Sequence, residues 1–212
     1  MIAPNTTPRK FKVKVKRQDG ADAAPRWETF EVEARPSMNV ISALQAIAAN
    51  PVTVDGKQTT PVVWDCNCLE EVCGACSMLI NGHVRQSCSA IVDELLEEGD
   101  TITLEPMSKF PVVRDLWVDR SRMFENLEKI QGWMPIDSTA SLGPGPKESP
   151  DNQDVRYALS RCMTCGCCLE VCPQFTKDND FVGAQVISQV RYFNRHETGK
   201  QLKGERLDAM ME

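Results

Sequence analysis

Histidine is nearly absent from this chain: His83 and His196 are the only two in 212 residues. One stands beside an Asn81-Gly82 pair and the other near the end of a helical pattern, so both are expected on the surface rather than as general bases. A glycine-rich dinucleotide fingerprint is missing too, and with it any candidate site for converting a small substrate. Positive charge is not in excess. Lysine and arginine number 24 against 30 acidic residues, a net charge of −6, which excludes a general polynucleotide binder, and no nucleic-acid partner is expected. Long apolar runs are lacking as well. The longest candidate, Val40 to Ala49, is interrupted by Ser42 and Gln45 and falls short of the roughly eighteen residues a membrane-spanning helix needs. The first ten residues hold Pro4, Asn5, Thr6, Thr7 and Pro8 where a secretory signal would have an apolar core, so the chain is expected in the cytoplasm.

The composition is otherwise that of a folded protein, with 42% hydrophobic and 25% charged residues, enough apolar side chain for one large core or two small ones. Cysteine departs from the ordinary. Ten are present in two clusters: Cys66, Cys68, Cys73, Cys76 and Cys88, then Cys162, Cys165, Cys167, Cys168 and Cys172. In a reducing compartment such clusters point to metal ligation rather than disulfides. The long cysteine-free interval between them predicts two separate metal-binding units.

Periodicity places these clusters in a fold. Phe11, Val13 and Val15 alternate with lysines over residues 10–16, and Phe30, Val32 and Ala34 alternate with glutamates, which predicts a hairpin whose lysine face meets a glutamate face. Ser37 is the expected cap of a helix carrying Val40, Ile41, Leu44, Ile47 and Ala48, closed by Asn50-Pro51. Short strands are expected at Val62 to Trp64, Met78 to Ile80, His83 to Gln86 and Thr101 to Leu104, with Asn81-Gly82 as a hairpin turn. Together these form a small α+β domain ending near Met107. From Val112 to Gln131 the apolar residues recur at helical spacing. Four prolines then mark Met134 to Asn152 as an irregular connection, and helical patterns return at Asp154 to Ser160 and Phe181 to Phe193. Glu205 to Glu212 reads as the opening of a further helix.

The spacing Cys68-x4-Cys73-x2-Cys76, followed by Cys88 eleven residues on, is that of a plant-type ferredoxin loop around a [2Fe-2S] cluster. Thiolates suit tetrahedral iron in both oxidation states, and Gly74 and Ala75 leave room for backbone amides to approach the sulfides. Cys66 is out of register and is treated as a spare thiol. A zinc-stapled interaction module without redox function, built on Cys73-x-x-Cys76 and a distant pair, is the alternative of another class, though it leaves Cys68 unexplained. The second run, Cys162-x-x-Cys165-x-x-Cys168-x-x-x-Cys172-Pro173, is the bacterial ferredoxin pattern, in which the cysteine before the proline ligates a different cluster from the first three. Cys167 is off register and reads as a buried packing thiol.

A plant-type [2Fe-2S] segment followed by a helical bacterial-type run resembles the iron-sulfur subunit of succinate dehydrogenase and fumarate reductase. The resemblance covers essentially the whole chain, through Cys68-Leu-Glu-Glu-Val-Cys73-Gly-Ala-Cys76, Arg85-Gln-Ser-Cys88 and Cys162-Met-Thr-Cys165-Gly-Cys167-Cys168-Leu-Glu-Val-Cys172-Pro173. It implies an N-terminal β-grasp plant-type ferredoxin domain over residues 1–110 and an all-α bacterial-type ferredoxin domain over 111–212, incomplete at its C-terminus. It implies Cys68, Cys73, Cys76 and Cys88 as ligands of a [2Fe-2S] cluster, Cys162, Cys165 and Cys168 of a [4Fe-4S] cluster, and Cys172 of a [3Fe-4S] cluster. The family draws three further ligands from a later segment, so truncation is expected. No substrate active site is expected, only electron transfer. The implied partners are a flavoprotein subunit carrying FAD, a cytochrome b membrane anchor and a quinone, with peripheral attachment to the cytoplasmic face of the bacterial cell membrane. Gln174-Phe175-Thr176-Lys177 stands where ubiquinone-using relatives have a tryptophan, which favours menaquinone. A fumarate reductase subunit, running the same wire in reverse, is the alternative within the family.

Overall fold

The alternation that opens the chain builds β1 (Lys10–Arg17), paired antiparallel with β2 (Arg26–Glu33). These elements belong to a computed structural model that describes residues 9–97, 99–135 and 147–211. The chain divides into two compact units, Met1–Asp119 and Arg120–Glu212.

In the first unit β5 (Thr101–Glu105) lies parallel to β1, and β3 (Ser77–Ile80) joins β5 antiparallel and pairs with β4 (His83–Gln86), giving the order β2-β1-β5-β3-β4. Asn81 and Gly82 both take positive φ, 49° and 79°, as the tight β3–β4 turn requires. The helix α1 (Val40–Ala49) covers the sheet with Val40, Ile41, Leu44 and Ile47, all buried against Phe11, Val13, Phe30 and Leu104. Each such side chain contributes about 1.5–3 kcal/mol of burial. The cap of α1 is Asn39, whose Oδ1 accepts from the Ser42 amide at 2.9 Å. Ser37, the expected cap, instead takes a left-handed φ of 57° two residues earlier. The lysine face behaves only partly as anticipated. Lys10 reaches Glu31 on β2, whereas Lys12 bridges to Asp100, just before the parallel neighbour β5, and Lys16 to Glu105 at its end.

Two further expectations are corrected. Val62 to Trp64 forms no strand; the segment is irregular and tied by single backbone and side-chain bonds to Asp115 and Leu116. The helix expected from Val112 begins only at α3 (Ser121–Lys129), because Val112–Arg114 and Trp117–Val118 pair as the small ribbon β6–β7. Asp115, at the turn of that ribbon with φ of 48°, sends its carboxylate into the first unit's interior, so apolar spacing alone misread the segment. The first unit accordingly runs to Asp119.

Described residues of the second unit form helices and turns only: α3, α4 (Pro150–Ser160), α5 (Cys167–Val171), α6 (Gly183–Arg195), a 3-10 turn (Gly199–Leu202) and α7 (Lys203–Met211). The irregular connection expected over 134–152 lies largely outside the described residues, and α4 starts at Pro150 with Ser149 as its cap. Ile130, Val186 and Val190 form the core, with Leu127, Val182, Ala209 and Met210 packed against them. Fully buried Arg206 donates to the carbonyls of Gln131, Trp133 and Gly199 and to Asn194, stitching α7 to the turns around it. No helix among the described residues is long and apolar enough to cross a membrane.

Candidate iron-sulfur ligand sites

The loop between residues 65 and 76 curls because Leu69, Glu71 and Gly74 all adopt positive φ, at 63°, 59° and 70°. These left-handed residues, interspersed with others of ordinary φ, turn several amides of the loop inward, as in an anion-binding nest. The amides of Glu70, Val72 and Cys73 donate to the Cys68 sulfur at 3.5, 3.3 and 3.3 Å, and that of Ala75 donates to Cys73 at 3.4 Å. These amides hold the Cys68 thiol down to about 7, below the ordinary thiol range. Near neutral pH Cys68 is therefore ionised to a much larger extent than an ordinary thiol, and the thiolate is the form that ligates iron.

Cys76 and Cys88 are buried on the core side, with their sulfurs in hydrogen-bonding contact; burial, before that contact, pushes the Cys76 thiol up to about 11. The first group therefore falls into two thiol pairs, Cys68 with Cys73 on the rim and Cys76 with Cys88 in the wall. Among the described residues no three His, Cys, Asp or Glu side chains converge as one bound metal ion requires. Two thiol pairs beside inward-turned amides would suit an iron-sulfur centre, for which Cys68, Cys73, Cys76 and Cys88 would be the ligands, and thiolate donors fit iron. Cys66, two residues earlier, is exposed.

Rigid elements hold the wall. Ser87 donates from both its amide and its hydroxyl to the Cys76 carbonyl, Ser77 Oγ donates to the Gly74 carbonyl, and Gln86 Nε2 donates to Ser77 Oγ. Asn39 does two tasks at once. Its Oδ1 caps α1 while its Nδ2 donates to the Cys88 carbonyl at 2.8 Å, so the fourth ligand hangs on the start of the helix. The entry to the loop is held by a buried ion cluster. Arg17 donates to Glu28 at 2.6 Å and to Asp115 at 2.9 Å, with further bonds to Thr60 Oγ1 and the Pro61 carbonyl. Asp115 also accepts from the Gln18 and Val63 amides, both at 3.0 Å. The sequence reading passed over Asn39, Arg17 and Asp115. A signal for Arg17 existed, since it continues the inward series Phe11, Val13, Val15 and a charge on a core face needs a partner.

In the second unit, α4 ends at Ser160 and α5 starts after Gly166, whose φ of 84° reverses the chain between them. Cys165 and Cys162 lie near enough to Cys168 to act on it electrostatically. Burial first, then the charges of Cys165 and Cys162, raise the Cys168 thiol above its ordinary value. Thiolate donors of this kind suit iron. Cys172 sits at the end of α5 in extended conformation, and Pro173 turns the chain away. Cys167 is half-buried rather than buried. Of the histidines, His83 is exposed as expected, whereas His196 is half-buried and its Nδ1 accepts from the Thr198 and Gly199 amides.

A family described as a 2Fe-2S iron-sulfur cluster binding domain matches residues 12–125, more than half of the chain. The succinate dehydrogenase iron-sulfur subunit of Bacillus subtilis (strain 168) is 56% identical over 198 residues, spanning 93% of this chain and 77% of the relative. This chain belongs to the iron-sulfur subunits of succinate dehydrogenase and fumarate reductase. The fumarate reductase iron-sulfur subunit of Wolinella succinogenes is more distant within that family, 27% identical over 82% of this chain and 70% of its own. A chain of the Mycobacterium smegmatis Sdh1 complex in the apo form superposes with a TM-score of 0.76 over 94% of this chain and 82% of that one; at 22% identity it bears on the fold alone. The iron-sulfur subunit is thus a mixed α and β chain whose first unit is a 2Fe-2S binding domain.

Proposed function

We propose that this chain relays electrons within a succinate dehydrogenase, from the FAD of a flavoprotein subunit that oxidises succinate to fumarate, toward a quinone at a cytochrome b membrane anchor. The observation that carries the reading is the set of four backbone amides aimed at the Cys68 and Cys73 sulfurs. Cys68, Cys73, Cys76 and Cys88 would hold a [2Fe-2S] cluster, Cys162, Cys165 and Cys168 a [4Fe-4S] cluster, and Cys172 a [3Fe-4S] cluster. When bound, such clusters supply one-electron carriers. In the first unit the chain's own residues hold Cys76 and Cys88 in a hydrogen-bonded wall and aim N–H dipoles at Cys68 and Cys73, so that little reorganises when charge changes. The sheet order with β1 parallel to β5 supports a β-grasp ferredoxin-like first domain, and the all-helical described part of the second unit supports a bacterial ferredoxin-like one.

Oxidation of succinate is preferred to the reverse direction because the 56% identical relative is a succinate dehydrogenase subunit, while the fumarate reductase subunits compared stand at 27–31%. Menaquinone is the proposed acceptor: Phe175 is buried beneath Arg122, whereas Thr176 and Lys177, where a tryptophan marks ubiquinone users, are exposed polar residues. Peripheral attachment at the cytoplasmic face of the membrane, through the anchor, completes the proposal.

Anaerobic purification with iron and sulfide analysis and low-temperature EPR tests it. A reduced [2Fe-2S] signal is the expected result. A colourless protein that binds zinc in place of iron would replace this reading with the interaction module.

A further inference from the structure

Gln185 is 2% exposed, and neither its Nε2 nor its Oε1 has a hydrogen-bond partner among the described residues. A buried primary amide with both ends unmatched is costly and rare in folded proteins, and such a group calls for an explanation in what it faces. Its surroundings follow from how three helices meet. At one end of the α4–α6 contact, Asn152 Nδ2 donates to the Arg195 carbonyl and Arg195 Nε donates back to Asn152 Oδ1. Arg195 is the last residue of α6 and Asn152 is in the first turn of α4, so wherever the two helices continue to touch they run antiparallel. Gln185 lies ten residues before Arg195, and Cys162 lies ten residues after Asn152. At a rise of about 1.5 Å per residue both displacements are about 15 Å in the same direction, which brings Gln185 level with Cys162.

The opposite side of the same helical turn is occupied by α5. A Cβ built on Gly183 would stand 2.2 Å from Leu169 Cδ2 and 3.3 Å from Phe175 Cδ2. Positions 183 and 185 project roughly 160° apart around the helix. Gly183 therefore meets the far end of the cysteine run, and Gln185 turns toward the end of α4. The segment joining α4 to α5 carries Cys162 and Cys165, and both helices that it joins pack on α6.

We propose that Gln185 is a positioning residue for the centre held by Cys162, Cys165 and Cys168, its side-chain amide donating N–H groups to sulfur at that centre. This rests on the reading that the second cysteine group binds an iron-sulfur cluster. Donors to sulfur favour the reduced, more negative state of a cluster and so raise its potential. A purely apolar residue of the same size would pack equally well without that effect.

The test is redox titration by low-temperature EPR on the assembled, iron-loaded complex carrying Gln185→Met, with Gln185→Asn beside it. The Met variant should shift the midpoint of the [4Fe-4S] signal to more negative potential, with the [2Fe-2S] signal unmoved. The Asn variant, which keeps the amide on a shorter arm, should lie between. Should the Met variant lose the signal through misfolding, the Asn variant supplies the reading. Unchanged potentials in both variants overturn the proposal and leave Gln185 as a packing residue solvated by buried water. Absence of any [4Fe-4S] signal from the unsubstituted complex would overturn the functional reading beneath it instead.

Discussion

Removing the Asp115 carboxylate should loosen the first unit and the cysteine loop together. Asp115 is fully buried and accepts three hydrogen bonds: one from Arg17, one from the Gln18 amide and one from the Val63 amide. Asp115→Ala leaves two half-buried amides unmatched and Arg17, itself 0% exposed, with Glu28 as its remaining carboxylate contact. Breaking a buried ion pair from one side costs on the order of 3–5 kcal/mol. The surviving Glu28 contact places this case toward the lower end. At roughly 3 °C per kcal/mol for a chain of this size, the unfolding midpoint should fall by about 10 °C. Asp115→Asn retains one carbonyl oxygen but turns an amide toward either the Val63 N–H or the Arg17 side, and should lose about half as much. Thermal and denaturant unfolding followed by circular dichroism measures both. Because Val63 precedes the loop directly, iron retained by the first cysteine group should drop in parallel. A loss below about 1 kcal/mol for Asp115→Ala would refute the reasoning, since it would mean the cluster is solvated or easily repacked.

Cys73→Ser should abolish or reshape the reduced [2Fe-2S] EPR signal selectively, and an unchanged signal removes Cys73 from the ligand set. Gly183→Ala should destabilise the helical unit by about 2 kcal/mol, because a Cβ meets Leu169 at 2.2 Å and alanine disfavours the φ of 84°. Adding Leu169→Ala should fail to restore that loss, since it removes the clash but leaves the strained φ and adds a cavity. His196 carries a pH dependence: burial first, and then the nearby Arg156 guanidinium, lower its pKa below 6.5, while Glu148 and Glu197 oppose them. A depressed histidine pKa means the unfolded state takes up the proton first, so the contribution is full above about pH 6.5 and is lost as pH falls through the folded value. The unfolding midpoint of the second unit should drop over that range in the native protein and flatten in His196→Leu.

Several parts of this protein were legible in its sequence because their causes are local. Alternating Phe11, Val13 and Val15 announce a strand whatever lies beside it, Asn81-Gly82 announces a tight turn, and the periodic Val40, Ile41, Leu44 and Ile47 announce a helix face. The cysteine spacings are equally local, since loop length limits which thiols can reach one cluster. What escaped was set by distant partners. Asn39 rather than Ser37 caps α1 because its amide is also wanted by the Cys88 carbonyl, 49 positions along the chain. Residues 112–118 form a ribbon rather than a helix because Asp115 must reach Arg17, 98 positions away. The inward position of Arg17 and Glu28 was visible in the strand alternation, but their shared partner was not.

The amino-acid sequence by itself thus determined the β1–β2 hairpin, the α1 face, the β3–β4 turn and the two cysteine spacings that name the candidate ligands, all consequences of short-range pattern. Only the tertiary structure decided which thiols pair on the rim and in the wall, which amides turn toward Cys68, and that Gln185 is buried with its amide unmatched among the described residues. Those outcomes depend on where the chain returns after tens of residues, and no pattern within one segment carries that information.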